Sequence, residues 1–390
     1  MSVLYLSFIV FSNDSIGVYY MIVLVLLIFV IHGKSHGFSV KHWGGLHLYI
    51  LGVSAFCFVS SIWAESPDYA IEKGTTLLEL LIAFSLIYEA YYKCSVNRLL
   101  LIVMWSGFLL SLYTIMFVGL GSLQDTIDSA GRMDNTFANI NVIGMCCSTS
   151  VILAVYFLQK RKNILDALLC IPCLIVVAAS GSRKAFVMLA VGALCVMLYK
   201  PYENKSNRGM NKVAKLFISL CVLSVMVMVM WKLGLFGGTL ERMDGLVASL
   251  TGQGDEDSSS MIRAYYRFIG FRQFSETPYL GIGMGNGRLL AMKYTGHDCY
   301  LHCNYAEIAA DGGIVGLFVV YWLYIKLLKR EYRLLKIDSY AVVIFLLVVL
   351  NLILDYGKVS YYSKDTYFML MICCLHISKY KNGCKMNCKR

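Results

Sequence analysis

Proline is scarce in this chain, four in 390 residues, and charge is scarce too, at 15% of residues. Few prolines leave long stretches free to remain helical. Few charges, with 58% hydrophobic residues and a mean hydropathy of +0.65, exclude an ordinary soluble globule. Short alternating segments of the kind that build a membrane β-barrel are missing as well. So is a basic region ahead of the first apolar run. The first Lys or Arg is Lys34, so the N-terminus is expected to stay on the protein rather than be cleaved as a signal peptide.

What is present is a series of apolar runs of about 17–23 residues, the length of helices that cross a hydrocarbon core of roughly 30 Å. The expected spans are 16–32, 46–63, 74–92, 98–120, 140–159, 164–180, 184–200, 214–236, 304–326, 339–355 and 365–379. Residues 1–11 are apolar but short for a full crossing. The reading is an all-α polytopic membrane protein with about 11–12 transmembrane helices and one long extracytoplasmic loop. By position it divides into an N-terminal transmembrane bundle (1–236), a loop with an amphipathic helix (237–303), and C-terminal helices with a basic cytoplasmic tail (304–390).

The net charge of +11 sits in short loops between apolar runs, so it points to topology rather than to nucleic acid as a partner. Loops 33–45, 91–98, 160–163, 201–213 and 327–338 are basic, and so is the C-terminal tail. The positive-inside rule puts them in the cytoplasm. Loops 64–73, 121–139, 181–183, 237–303 and 356–364 then face outward. Only 181–183, with Arg183, is basic against its assigned side, which suggests a functional arginine.

Most of the fourteen cysteines lie inside apolar runs, where they read as small buried hydrophobes. Cys170 and Cys173 have the spacing of a redox or zinc pair, but inside an expected span.

Polar chemistry concentrates between Arg263 and Gly316. Arg263 and Arg267 are four apart and share a helix face with Tyr266 and Gly270. Two guanidiniums on one face suit a multiply charged anion such as pyrophosphate. The plainer alternative is a solvated face, or snorkelling to lipid headgroups. Arg132 and Arg183 join them on the outer side, which favours an anion site fed by several loops. Arg272 points to the opposite side of its helix.

His302 is expected to open the helix that re-enters the membrane. Ala306, Ala309 and Gly313 are small residues that allow a neighbouring helix to approach closely. A His beside arginines suits a general base near working pH. His297 is a reserve for that role, and Asp298 and Glu307 are other acid/base candidates. His297, Cys299, His302 and Cys303 match no strong zinc pattern, so no metal is expected. Cys299 and Cys303 are close enough in sequence to raise a disulfide. Gly281–Asn286 lacks the strand before it and the Lys-Ser/Thr after it that a nucleotide loop needs, and reads instead as a Pro-Gly-rich reentrant turn.

Taken in order, these residues resemble the O-antigen ligase and polymerase superfamily of bacterial membrane glycosyltransferases. Arg132 with Asn135-Thr-Phe, Asn141 and Gly144 resembles one family segment. Ser182-Arg183 resembles a second. Arg263, fifteen residues before Pro278 and the Gly281-Ile-Gly283 turn, resembles a third. His302, Asn304 and Gly313 resemble the family's His-Asn-to-Gly segment. The chain departs in having Asn135 where the family commonly has glycine, and Cys303 between the His and the Asn.

The resemblance implies a GT-C-like enzyme without cofactor. Its substrate would be an oligosaccharide on undecaprenyl pyrophosphate, at the outer face of the bacterial inner membrane. His302 and Arg263 would be catalytic. Arg132, Arg183, Arg267, Asn304, Asn141 and His297 would bind substrate. A flippase and a chain-length regulator are the implied protein partners, and the lipid bilayer the setting. Polymerisation of repeat units is the favoured activity. Transfer of a finished glycan to lipid A-core is the alternative. A transporter or flippase is the competing class, against which stand the lack of an internal repeat and of polar residues at the midplane.

Overall fold

The computed structural model describes residues 1–10, 15–36, 42–128, 133, 137–161, 163–199 and 258–387. Among them helix is the only regular structure, and the protein is an all-α membrane protein. In chain order the helices are α1 (Ser2–Val10), α2 (Ser15–His36), α3 (Gly45–Ser60), α4 (Pro67–Tyr91), α5 (Val96–Val118), α6 (Leu120–Asp128) and α7 (Ile140–Arg161). Then come α8 (Ile164–Leu168), α9 (Cys170–Ser180), α10 (Arg183–Leu198), α11 (Ser258–Glu276), α12 (Gly287–Thr295), α13 (Asn304–Leu334), α14 (Ser339–Leu354) and α15 (Lys364–Asn387).

Three of these, α5, α7 and α13, are long and apolar enough to cross a membrane. Shorter apolar stretches run over Tyr19–Ile31, Gly45–Ser60, Leu165–Ser180 and Ser339–Leu354. The expected span at 164–180 is divided into α8 and α9. Pro172 accounts for the break, because it has no N–H to offer the carbonyl four residues back. The expected span 214–236 and the first part of loop 237–303 lie outside the described residues.

Two compact units emerge, each assembled from three separate stretches rather than from consecutive ones. The first comprises 1–18, 95–257 and 331–350, and the second 19–94, 258–330 and 351–390.

The first unit is centred on α7. Gly107 lets α5 close on it: a Cβ there would lie 2.6 Å from the Ser150 Cβ. The Ser150 hydroxyl then donates to the Met104 carbonyl. On the other side Gly144 faces Ser180 and Ala185, with a Cβ at that position only 2.8 Å from the Ser180 hydroxyl. Small residues at these crossings matter because lipid offers no hydrophobic drive for helix association; close packing and hydrogen bonds do the holding. Of the spaced thiols, Cys173 meets the Ser111 hydroxyl at 3.6 Å and Cys170 the Asp166 carbonyl at 3.6 Å. Both are free thiols.

The second unit pairs α3 with α4, where the Ser54 hydroxyl donates to the Gly74 carbonyl at 2.8 Å. Tyr49 on α3 donates to the Val320 carbonyl of α13 at 2.9 Å. Helix α13 is broken at Gly313, whose φ of 61° and ψ of −155° leave the helical region. The break frees the Ala310 and Asp311 carbonyls and the Ile314 and Val315 N–H groups. The turn between α11 and α12 takes up all four. Ile282 and Gly283 donate to the two carbonyls at 3.0 and 2.8 Å, and the Pro278 and Tyr279 carbonyls accept from the two N–H groups at 2.8 and 3.3 Å. The turn is thus inserted into two rungs of the helix ladder. A backbone break at membrane depth is tolerated when protein satisfies it in this way. Gly281 and Gly313 are required at the insertion: both have positive φ, and a Cβ on either would collide with the opposing backbone.

Candidate active site

In the second unit the helices and loops from α11 to the start of α13 form one substructure around Tyr266, Ile269, Leu290, Ala291, Leu301 and Ala310. Helix α11 lies against the start of α13 at Gly270, where a Cβ would be 2.9 Å from Leu301 Cδ1 and 3.1 Å from the Ala306 Cβ. The small residues read from the sequence therefore do admit a close neighbour: Ala306 admits α11, and Gly313 admits the 277–287 turn.

Tyr266 and Gly270 face inward and are buried, while Arg263 and Arg267 flank them half-buried. Neither arginine has a carboxylate at ion-pair distance among the described residues. The Arg267 guanidinium stacks over the Tyr356 ring at 4.7 Å. Such stacking orients the planar group and leaves its N–H edge for an anion. The neighbouring arginines differ. Arg272 pairs with Glu276 at 3.3 Å, and Arg288 grips Asp298 through two bonds of 2.8 and 2.9 Å. Asp298, one of the acid/base candidates, is engaged there.

His302 precedes the first helical residue, Asn304, by two positions, so it lies in the loop before α13 rather than in the helix itself. Its ring packs against Tyr266 at 5.7 Å and Tyr300 at 4.3 Å. Tyr266 sits on α11 between the two arginines, which brings His302 to the arginine-bearing helix. The charges of those arginines are felt nearby. Burial pushes the Tyr300 hydroxyl up and Glu307 adds to the rise, while Arg263 opposes it. Burial likewise raises the Cys303 thiol, against the Tyr305 and Ala306 N–H groups and Arg267. His297 is exposed, in the loop after Gly296, with its own N–H on Thr295 at 3.4 Å. Cys299 and Cys303 are free thiols.

Asn304 is buried, and its amide is engaged inside the protein. Its oxygen accepts from the Ser360 and Tyr361 N–H groups at 2.9 and 3.2 Å, and its nitrogen donates to Tyr321 at 2.7 Å and Asp355 at 3.3 Å. Its backbone N–H meets the Asp355 and Lys358 carbonyls. It clamps the 355–361 loop, which carries Tyr356, to the start of α13. Two buried carboxylates on α13 also hold backbone: Glu307 accepts from the Leu301 N–H at 2.8 Å, and Asp311 from the Gly285 N–H at 2.8 Å.

In the first unit Arg183 is the first residue of α10, after Gly181 in the left-handed conformation and Ser182 as N-cap. The Ser182 side chain accepts from the Ala185 N–H at 3.4 Å. Asn141 lies half-buried in the first turn of α7, its N–H on the Asn139 side chain at 3.0 Å. Arg132 lies outside the described residues. Its neighbour Met133 is buried with Leu123 and Ala179, and its N–H reaches the Ala179 carbonyl, four residues before Arg183.

Residues 168–321 match the family model described as O-Antigen ligase. With the helical membrane fold, this supports a protein of the O-antigen ligase/polymerase superfamily, as the order of motifs suggested. The matched stretch holds Arg183, Arg263, Arg267, His297, His302 and Asn304, and leaves Arg132 and Asn141 outside it. Members of this family are membrane glycosyltransferase-like enzymes acting in lipopolysaccharide biosynthesis. No curated protein matches the chain.

Proposed function

We propose that this protein polymerises undecaprenyl-pyrophosphate-linked oligosaccharide repeat units into O-antigen or a related surface polysaccharide. The reaction takes place at the outer face of the inner membrane, with the C-terminus in the cytoplasm. The observation that carries the reading is the pair of half-buried arginines on α11 that lack carboxylate partners among the described residues, beside a histidine. Guanidiniums without a carboxylate partner suit an anion, and pyrophosphate is the charged leaving group of a lipid-linked glycan.

In this reading Arg263 and Arg267 hold the pyrophosphate and stabilise the charge that develops as the C1–O bond breaks. His302 accepts the proton of the acceptor hydroxyl as its oxygen bonds to C1. Arg183, Arg132 and Asn141 are assigned to substrate binding, and His297 to the outer edge of the site. Asn304 acts through the loop it clamps. A flippase and a chain-length regulator are the expected partners.

The family description, O-Antigen ligase, is equally compatible with a second reading, in which the finished glycan is transferred from the same carrier to lipid A-core. The glycan ladder of a deletion strain decides between them. Loss of all chains beyond one repeat unit supports polymerisation. Full-length chains retained on the lipid carrier support ligation. An unchanged ladder rejects both.

A further inference from the structure

His302 has a φ of 58°, and it is the one non-glycine residue with positive φ among those described. A non-glycine side chain in that region is strained and persists where its surroundings hold it. Contacts on both sides of His302 hold it there. Downstream, the Asn304 N–H and amide are fixed on residues 355–361. Upstream, the Leu301 N–H is held by the Glu307 carboxylate at 2.8 Å.

The second contact is a displaced helix cap. Cys303 stands where an N-cap would, and its carbonyl accepts from the Glu307 N–H at 2.9 Å. In a capping box an acidic side chain in the first turn bonds the N–H of the N-cap residue itself. Glu307 reaches two residues further back. Its side chain closes a ring from Leu301 to Glu307, and His302 is inside it. The chain must bend sharply to enter that ring, which accounts for the unusual backbone at His302. Glu307 is itself buried, at 2% exposure, with Leu301, Ala306 and Ile308 buried around it. A carboxylate in such a place is costly unless its hydrogen bonding is used.

We infer that Glu307 is the positioning residue of His302: its carboxylate, by holding the Leu301 N–H, aims the imidazole at the acceptor hydroxyl. This rests on the reading of His302 as the proton acceptor given above. It assigns Glu307 no proton transfer of its own.

Two conservative variants of the full-length protein separate reach from charge. Glu307→Gln keeps an oxygen at the same distance but has no charge. Glu307→Asp keeps the charge but is one methylene short of the Leu301 N–H. Each is purified, its melting temperature recorded, and kcat and KM measured on lipid-linked repeat units. The expected result is Gln within about threefold of the parent, and Asp lower in kcat by about tenfold to a hundredfold with KM within about twofold. Asp active with Gln inactive would assign Glu307 to acid–base chemistry and overturn the inference. Equal effects from both, a change in KM alone, or loss of melting in both would overturn it as well. His302→Ala is measured beside them. If it turns over at the parent rate, the reading of His302 fails first, and that failure is visible independently of the two Glu307 variants.

Discussion

Helix α11 treats its arginines in two ways. Toward its N-terminal end, Arg263 and Arg267 stand half-buried without a carboxylate partner among the described residues. Toward its C-terminal end, Arg272 is exposed and paired with Glu276, and just beyond the turn Arg288 is gripped by Asp298. The same side chain is paired at Arg272 and Arg288, and has no carboxylate partner among the described residues at Arg263 and Arg267, on the stretch of helix that meets His302 and Tyr356. An uncompensated, partly desolvated cation is a standing cost that a bound anion removes. The difference sets Arg263 and Arg267 apart from Arg272 and Arg288 as the candidate anion ligands.

The sharpest way to break this contrast is Arg263→Ala, expected to lower chain extension by about a hundredfold to a thousandfold in a complemented deletion strain, with protein level unchanged. A normal ladder would remove the functional meaning of the unpaired set. Next comes quenching rather than removal. Ser259→Glu places an acid four residues before Arg263 on α11, the favourable order for a helical pair, and should slow extension about twofold while the arginine remains. From the paired side, Asp298→Ala frees Arg288. Because both partners are partly exposed, thermal stability should fall by about 1 kcal/mol or less, with extension unchanged. The smallest effect belongs to Arg272→Ala, within about 0.5 kcal/mol in stability and silent in the ladder, as its ion pair with Glu276 is exposed.

Much of this arrangement was legible in the sequence. Apolar run length gave the helices, and the spacing of Arg263, Arg267 and Gly270 predicted their shared face. That residues 277–287 form a turn followed from their glycines and proline. Three features were not legible. Helix α12, nine residues with mixed polarity, is too short for periodicity to reveal, and Asn286 ahead of it is visible as a brace only through its bonds to Ser66. The break at Gly313 reads in sequence as one more small residue for close packing, because the groups that fill it lie about thirty residues earlier. Asn304 and Glu307 carry the chemistry of substrate ligands or acid–base groups, yet the Asn304 amide oxygen and the Glu307 carboxylate accept from backbone N–H groups, and the Asn304 nitrogen donates to Tyr321 and Asp355. Residue type alone does not tell a polar group that binds a ligand from one that holds the chain which does.

The turn inserted into α13 has one further consequence. The Ala310 and Asp311 carbonyls and the Ile314 and Val315 N–H groups are also each other's natural partners in an unbroken helix. Helix and turn thus compete for the same four groups, and only one can have them. If α13 healed, it would expel residues 278–283, loosening the Glu65 and Ser60 bonds that hold Ile282 and Met284. Continuity of this helix and assembly of the loop that leads to His302 are mutually exclusive states of one chain.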